Sequence, residues 1–218
     1  MTVINGSALL RAAPLSPMLA TKERAHGVSH GLSEAGYDLR IRQTIRFVPP
    51  DPLAFQVVVS GAMSSLLGGV SVRSMSDGQR LSALEAFFGY VEVEDWLEDD
   101  DHVITRTPGR FTLASSVESF QMPTNLLGIV HDKSTWIRQG MSVANTVIEP
   151  GWGPAPDRPE DGCFLTLELT FHGNEPLTIR AGSGIAQVIF HEIGEPASYG
   201  GKYTGQPSRP VAAIMERG

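Results

Sequence analysis

The sequence predicts a mainly β fold, either a barrel or a sandwich, with only a few short helices. From residue 123 onward, short segments of strand-like composition alternate with turns that contain glycine or proline. Short strands at such close spacing are typical of all-β architectures. Residues 164–171 show the pattern most clearly, because Phe-Leu-Thr-Leu-Glu-Leu-Thr-Phe has the length and composition of a single strand.

The N-terminal half contains one candidate helix and several candidate strands. The pattern predicts a short helix over residues 5–13, followed by a loop that contains two prolines. Residues 37–42 alternate polar and apolar side chains, as a half-buried strand does. Residues 55–60 are β-branched and 110–118 are strand-like, so both are predicted strands. Residues 79–97 are ambiguous, since apolar side chains at helical spacing precede an extended Tyr-Val-Glu-Val.

The C-terminal part ends in a segment of different character. Residues 177–180 and 185–190 are predicted strands joined by a hairpin-type turn, and the proline-rich 154–161 is predicted to be a surface loop. From residue 199 the chain is rich in glycine and proline, so no regular element is expected there and the segment should be mobile. We therefore divide the chain into a domain over 1–198 and a tail over 199–218.

The composition excludes several classes of protein. The chain has 218 residues, 41% of them hydrophobic, and a formal net charge of −7. It contains no apolar run long enough for a membrane span, no signal peptide and no basic patch for nucleic acid. We therefore expect a cytoplasmic protein that binds neither membrane nor nucleic acid. The acidic stretch 92–101 is predicted to be a solvated surface.

A metal-dependent catalytic site is not expected. The single cysteine, Cys163, cannot form an intramolecular disulfide and cannot supply the Cys-x-x-Cys pair of a zinc nucleoside deaminase. The sequence also lacks the His-Glu-x-x-His motif of zinc hydrolases. The prediction is therefore that no side chain serves as a metal ligand.

Glu168 is the residue that points most directly to chemistry. It stands inside the apolar strand 164–171, where we expect it on the inner face of the sheet. A carboxylate there is costly to bury unless it is paired or takes part in proton transfer. Two other segments offer partners for an anionic ligand. One provides cations and hydroxyls that suit phosphate (Lys133, Ser134, Thr135, Arg138), and the tail provides donors that can close over a ligand (Lys202, Tyr203, Gln206).

Six short motifs, taken in order, resemble one known family. They are residues 35–40, 133–140, 148–152, 165–168, 184–187 and 201–209. Together they resemble the dCTP deaminases, within the superfamily of trimeric dUTPases, over roughly residues 30–210. The resemblance implies a distorted jelly-roll or β-clip fold of the dUTPase type. It also implies a homotrimer with its sites between subunits.

The same resemblance implies a role for each candidate residue. Glu168 matches the catalytic glutamate, Arg138 matches an arginine near the catalytic water, and Ser134 would orient that water or contact phosphate. The remaining matches are nucleotide contacts: phosphate contacts at Lys133, Thr135 and Gln187, the pyrimidine-reading segment at Asn145, Thr146, Val147 and Glu149, and the closing tail at Tyr199, Lys202, Tyr203 and Gln206. Mg²⁺ is implied as a partner of the triphosphate rather than as the catalyst.

The implied reaction is hydrolytic deamination of dCTP to dUTP and ammonia without a catalytic metal. Departures from the family pattern keep alternatives open. Glu149 replaces the commonest aspartate, which in dUTPases activates the hydrolytic water, and the loop 153–161 is longer than usual. The alternatives are a dUTP diphosphatase, a bifunctional enzyme, or a deaminase of a monophosphate or 5-substituted deoxycytidine nucleotide. A catalytically inactive nucleotide-binding regulator is a further one.

Overall fold

The strands and helices are assigned over the residues that a computed structural model describes, namely 2–47, the backbone of 103–106, and 111–215. Two α-helices occur in these residues, α1 (Gly6–Ala12) and α2 (Ser134–Ile137), and Pro159–Asp161 forms one turn of 3-10 helix. The strands in chain order are β1 (Thr2–Ile4), β2 (Leu15–Ser16), β3 (Lys22–Ala25), β4 (Val28–Leu32), β5 (Tyr37–Arg40), β6 (Thr44–Phe47), β7 (Val103–Arg106), β8 (Phe111–Phe120), β9 (Leu126–Asp132), β10 (Met141–Val143), β11 (Val147–Ile148), β12 (Phe164–Phe171), β13 (Leu177–Ile179) and β14 (Gly184–Glu192).

These strands form three sheets around one core. The largest has the order β11-β9-β14-β5-β4-β3, with β1 also paired to β14. The second has the order β10-β12-β8-β2, and the third the order β13-β6-β7. Strands β6 and β7 pair in parallel, whereas the other named pairs are antiparallel. The curled sheets make a distorted jelly roll, which confirms the predicted mainly β class with few short helices.

The core joins the sheets through aromatic side chains. Phe47 of the third sheet stacks on Phe171 of the second, with ring centroids 4.9 Å apart. Phe120 of β8 packs against Trp152 in the turn after β11, with centroids 5.7 Å apart. Aromatic pairs at these separations add to the free energy gained by burying apolar surface. Trp152 is therefore held firmly on its core side, next to the candidate site described below.

The predicted helix over 5–13 is confirmed as α1, one residue shorter at each end. The helix ends because Ala13 adopts the left-handed conformation, with φ of 42°, and Pro14 follows it. The Ala13 N–H donates to the Leu9 carbonyl at 3.0 Å, which satisfies one carbonyl of the last turn. Proline cannot continue a helix, so the chain leaves α1 at this point.

The strands predicted over 37–42, 110–118 and 164–171 are confirmed as β5, β8 and β12 in the residues described. The expectation that the first of them is half-buried is wrong. Asp38 is only 2% exposed although it alternates with apolar neighbours, because its carboxylate is paired with Lys133 from another element. The predicted strand 55–60, the ambiguous 79–97 and the acidic stretch 92–101 lie outside the described residues.

The hairpin-type turn predicted between residues 177–180 and 185–190 is wrong. β13 pairs with β6 in the third sheet, whereas β14 pairs with β5, β9 and β1 in the first. The connection therefore passes from one sheet to another. Two backbone hydrogen bonds hold this connection against Ile41, the residue after β5. The Ile41 N–H donates to the Ser183 carbonyl, and the Gly182 N–H donates to the Ile41 carbonyl.

Candidate functional site

A cavity of about 410 Å³ lies between β12, β11 and the C-terminal segment. Its volume is within the range of small-molecule sites. The walls are largely apolar, and the polar groups are two carboxylates, two threonine hydroxyls, two tyrosines and one glutamine. The lining residues that carry these polar groups are Glu149, Glu168, Thr146, Thr166, Tyr199, Tyr203 and Gln206.

Glu168 lies on the outward face of β12, and the expectation that it points to the inner face is wrong. Leu167 and Leu169 are buried on the core side, whereas Glu168 is exposed. The reason is the two-residue period of a strand, which places Glu168 on the same face as Thr166. Its carboxylate makes no hydrogen bond or ion pair with the described residues. A carboxylate in that situation is available to a ligand or a water molecule.

The segment through β11 forms the wall opposite β12. Val130 donates its N–H to the Thr146 carbonyl at 2.9 Å, and β11 pairs with β9 at Val147. Ile148 is buried and anchors the segment, whereas Thr146, Val147 and Glu149 are exposed and line the cavity. The predicted residue Asn145 is exposed next to this wall but is not among the lining residues.

The C-terminal segment forms the third wall and folds back on its own chain. The Trp152 indole Nε1 donates to the Tyr203 carbonyl at 2.8 Å. Phe164 of β12 donates its N–H to the Gln206 carbonyl at 2.9 Å, and the Gln206 side-chain Oε1 accepts from the Thr166 N–H at 3.3 Å and hydroxyl at 3.0 Å. Residues 199–215 contain no helix or strand, which confirms the predicted lack of regular structure. Their mobility stays a prediction.

Lys202 differs from its neighbours in the tail, because it does not line the cavity. Its Nζ donates to the Ile214 carbonyl at 2.6 Å and lies 5.5 Å from the centre of the Tyr203 ring. Ile214 in turn donates its N–H to the Tyr203 hydroxyl at 3.2 Å. The lysine therefore holds the end of the tail against Tyr203 in this arrangement.

The segment 133–138 does not meet Glu168 within one chain. Ser134 and Thr135 are exposed at the start of α2, and Arg138 borders a separate depression beside Glu175. The expected proximity of Arg138 to Glu168 is therefore not found among the lining residues of the Glu168 cavity. Gln187 is also elsewhere, since its Nε2 donates to the Ser33 hydroxyl at 2.9 Å.

Lys133 is engaged in a buried ion pair. Its Nζ lies 2.5 Å from Asp38 Oδ2 and 3.2 Å from the Ser29 hydroxyl. The Lys133 and Asp38 side chains are 10% and 3% exposed. The charge of the ammonium is therefore already paired with a carboxylate, and its main contact is with β5 rather than with solvent.

A second buried pair connects β5 with β8. Arg40 Nε lies 2.7 Å from Glu118 Oε1, and the Arg40 N–H donates to Oε2 at 3.0 Å. Burial raises the pKa of Glu118, and the hydrogen bonds from Arg40 oppose that rise. The pair fixes the orientation of the first sheet relative to the second, on which Glu168 is carried.

Thr166 and Trp152 are site residues that the sequence analysis did not assign. Thr166 bonds Gln206, also accepts the Val211 N–H at 3.1 Å, and lines the cavity. The signal for Thr166 was its position two residues before Glu168, which puts both side chains on one face of the strand. The signal for Trp152 was an indole in a turn, whose N–H needs an acceptor when the ring is buried.

Neither a metal cluster nor a membrane span is found in the part of the chain that the structure describes. No group of three His, Cys, Asp or Glu side chains there is arranged to hold a metal ion. His26 and His30 are four residues apart, but they lie in and after the turn from β3 to β4 rather than on a helix. No helix among the described residues is long and apolar enough to cross a membrane.

The model of the family described as dCTP deaminase-like matches residues 18–193. The chain belongs to the dCTP deaminase-like family. A dCTP deaminase of Gemmatimonas aurantiaca is 29% identical over 197 residues, which cover 88% of this chain and 86% of that protein. A dCTP deaminase of Roseiflexus castenholzii is 30% identical over 198 residues, with the same coverage of 88% and 86%.

A solved structure of the 2'-deoxycytidine 5'-triphosphate deaminase from Agrobacterium tumefaciens is also similar to this dCTP deaminase-like chain. Its TM-score is 0.43 at 12% identity, and the match covers 87% of this chain and 49% of that one. Family membership confirms the resemblance that the six sequence motifs indicated. It places this chain with deaminase enzymes.

Proposed function

We propose that this chain catalyses the hydrolytic deamination of dCTP to dUTP and ammonia, with Glu168 as the general base and acid. The observation that carries the proposal is the accessible carboxylate of Glu168 in a cavity of about 410 Å³, without an ion-pair partner among the described residues. Apolar side chains beside the Glu168 carboxylate suit a flat base whose reactive edge faces that carboxylate. Membership of the dCTP deaminase-like family supports dCTP as the substrate.

The proposed chemistry uses one carboxylate for every proton transfer. Glu168 accepts a proton from a water molecule while the water oxygen bonds to C4 of cytosine. Glu168 then passes that proton to N3. The resulting tetrahedral carbon carries both a hydroxyl and the amino group. Glu168 then moves the hydroxyl proton to the amino nitrogen, the C4–N bond breaks, and ammonia leaves as the C4 carbonyl forms. A positioned general acid–base group contributes about 10²–10⁴-fold to such a step.

The wall formed by residues 146–149 is proposed to read the pyrimidine. Thr146, Val147 and Glu149 are exposed toward the cavity while Ile148 is buried. The buried isoleucine fixes the backbone of this wall. The backbone N–H and carbonyl groups can therefore hold the base in one orientation before the reaction begins. The tail segment with Tyr203 and Gln206 is proposed to close the opposite side over the nucleotide.

The phosphates need cations, and Arg138 with Ser134 and Thr135 are the proposed contacts. These exposed side chains do not line the Glu168 cavity of their own chain. We therefore propose a homotrimer, in which the 133–138 segment of one subunit completes the site of its neighbour. Guanidinium and hydroxyl groups match phosphate oxygens in charge and geometry.

Mg²⁺ is proposed to arrive with the triphosphate. Mg²⁺ commonly keeps several waters and is bound in large part through substrate phosphates. Bound there, Mg²⁺ neutralises phosphate charge. The contribution of this chain is to hold those phosphates through the 133–138 segment.

The position of Glu149 favours one second candidate. Its carboxylate lines the same cavity as Glu168, and in the resembled dUTPases an acid at this place activates water for diphosphate release. A bifunctional enzyme would therefore release diphosphate from the dUTP it makes. In a bifunctional enzyme, Glu149→Gln should stop diphosphate release and leave ammonia release measurable. If the wild-type chain releases no diphosphate, the second candidate is wrong.

The deciding experiment incubates the full chain with dCTP and Mg²⁺ and follows ammonia together with the nucleotide products. Parallel incubations with dCMP, dCDP, dUTP and 5-substituted dCTP separate the alternatives. Ammonia from dCTP is the expected result. Diphosphate from dUTP without ammonia from dCTP overturns the proposal, and nucleotide binding without any product identifies an inactive regulator.

The role of Glu168 is tested with Glu168→Gln, which keeps size and hydrogen bonding but removes the proton acceptor. We expect kcat to fall at least about a hundredfold while dCTP affinity changes little. Glu192→Gln is the matched control, because Glu192 is an exposed strand glutamate away from the cavity. A Glu168→Gln enzyme with normal turnover contradicts the general-base role.

A further inference from the structure

A separate cavity of about 280 Å³ lies beside β13, and its lining carries positive charge and hydroxyls. Its lining residues are His26, Trp136, Thr178, Arg180 and Ser183. None of them lines the cavity that contains Glu168. None is acidic, which is notable in a chain whose formal net charge is −7.

Ser183 is the most informative of these residues. It is fully buried, and its hydroxyl has no hydrogen-bond partner within the described residues. Its backbone, by contrast, is satisfied, since the carbonyl accepts from Ile41 and the N–H donates to Arg180. Buried polar side chains nearly always have a partner, so an unpaired hydroxyl in the wall of a cavity indicates a missing one.

The positive charge near this hydroxyl comes from arginine side chains, and an imidazole lies beside them. Arg180 follows β13 and is exposed, and His26 stands in the turn between β3 and β4. Thr178 faces Arg46 directly across the β13–β6 pair, so Arg46 lies on the same exposed face. Neither arginine forms an ion pair with a described residue.

The floor of the cavity is rigid. The Trp136 ring is buried, and its indole Nε1 donates to the Gly184 carbonyl at 2.7 Å. This bond connects α2 to the residue that follows Ser183. The Ser183 N–H donates to the Arg180 carbonyl at 3.1 Å, so the backbones that carry the hydroxyl and the guanidinium are also held together, as a preorganised binding site requires.

We propose that this cavity is a second binding site, for a phosphate group, distinct from the site that contains Glu168. Phosphate offers several acceptor oxygens, and the guanidinium of Arg180 with the hydroxyls of Thr178 and Ser183 are donors that match them. The two sources of such a group are free inorganic phosphate and a phosphate ester. The proposal does not depend on deaminase activity, because it concerns binding alone.

Two tryptophans provide separate reporters for the two cavities. The full chain is labelled with 5-fluorotryptophan, and its fluorine signals are assigned with the single variants Trp96→Phe and Trp152→Phe. Sodium phosphate is then titrated at constant ionic strength, with sodium chloride as the compensating salt. A saturable shift of the Trp136 signal is expected, while Trp152 reports on the Glu168 cavity that it lines.

Variants decide whether the response comes from this cavity. Arg180→Gln and Ser183→Ala should each weaken phosphate binding at Trp136 at least about fivefold to tenfold. Ser183→Ala removes only an unpaired hydroxyl, so its urea midpoint should not fall below that of the wild type. Arg11→Gln, an exposed arginine at the end of α1, is the matched charge control and should bind as the wild type does.

The outcomes are distinct from those of the deaminase assay. No Trp136 response up to about 10 mM phosphate, a concentration at which even a weak millimolar site fills, overturns the proposal. Unchanged binding by both Arg180→Gln and Ser183→Ala also overturns it. A tighter Arg180-dependent response with dCMP than with inorganic phosphate identifies an ester as the source, whereas equal responses identify free phosphate, and both results support the site.

Discussion

Removing one partner of the Lys133–Asp38 pair should destabilise the protein strongly. Lys133→Met leaves the Asp38 carboxylate buried at 3% exposure, with Oδ1 already lacking a partner among the described residues and only Ser29 donating to Oδ2 at 3.1 Å. Breaking a buried ion pair from one side typically costs about 3–5 kcal/mol. That is a large part of the roughly 5–15 kcal/mol by which a domain is stable.

The assay is a double-mutant cycle followed by urea unfolding at fixed protein concentration. Lys133→Met and Asp38→Leu should each lower the free energy of unfolding by about 3–5 kcal/mol, and the double variant should recover most of that loss because no buried charge is left unpaired. The control is Lys22→Met. The Lys22–Glu34 pair is also within hydrogen-bond distance at 2.8 Å, but its side chains are 42% and 83% exposed, so its removal should have little effect.

The same variants test the phosphate role that the family resemblance implies for Lys133. If the ammonium mainly anchors α2 to β5, the unfolding free energy falls and the double variant regains both stability and turnover. A Lys133→Met protein of normal stability, with KM for dCTP raised and kcat retained, refutes the anchoring role. That result would identify Lys133 as a ligand of the phosphates.

Three further predictions concern titratable groups and one concerns the tail. Burial raises the pKa of Glu118 above its ordinary 4.5, and the hydrogen bonds from Arg40 oppose that rise. The protein therefore loses stability as pH rises from 4.5 through the pKa of the folded state. Urea unfolding of Glu118→Gln should show a flatter pH dependence in that window. Burial lowers the pKa of His30 below 6.5, so stability is present above pH 6.5 and lost as pH falls below it, and His30→Gln should remove that acid-side loss. Burial raises the pKa of the Cys163 thiol to about 11, so a thiol reagent at pH 8 should react slowly with the folded protein and rapidly in denaturant. Truncation before Tyr199 should raise KM for dCTP or stop turnover; a truncated enzyme with unchanged kinetics contradicts the role of the tail as a lid.

The sequence was a good guide wherever the structure depends on local pattern. β12, β8 and α1 follow from alternation and from turn residues; β12 has the bounds expected, and those of β8 and α1 differ by one or two residues. The orientation of Glu168 was also available, because Thr166, Glu168 and Thr170 occupy the polar positions of a strict two-residue period. Treating the acid as an intruder in an apolar strand, rather than as a member of its polar face, produced the wrong orientation.

Partners distant in sequence were beyond the reach of local pattern. The partner of Lys133 is Asp38, 95 residues away, and the ammonium therefore appeared free to contact phosphate. The connection after β13 resembled a hairpin because turn composition does not reveal which strand pairs with which. The placement of Arg138 away from its own Glu168 is of the same kind, since proximity within a chain depends on topology and not on motif order.

The bonds between Gln206 and β12 have a consequence for how the protein behaves when its tail is open. β10 covers β12 only at Leu169–Phe171, so the N–H groups of Phe164 and Thr166 are covered by Gln206 instead. A tail that swings away leaves these donors on a bare strand edge, which is a template for pairing with another chain. If the tail opens as proposed, each opening exposes this edge to aggregation, and a nucleotide that keeps the tail closed should protect the protein in storage.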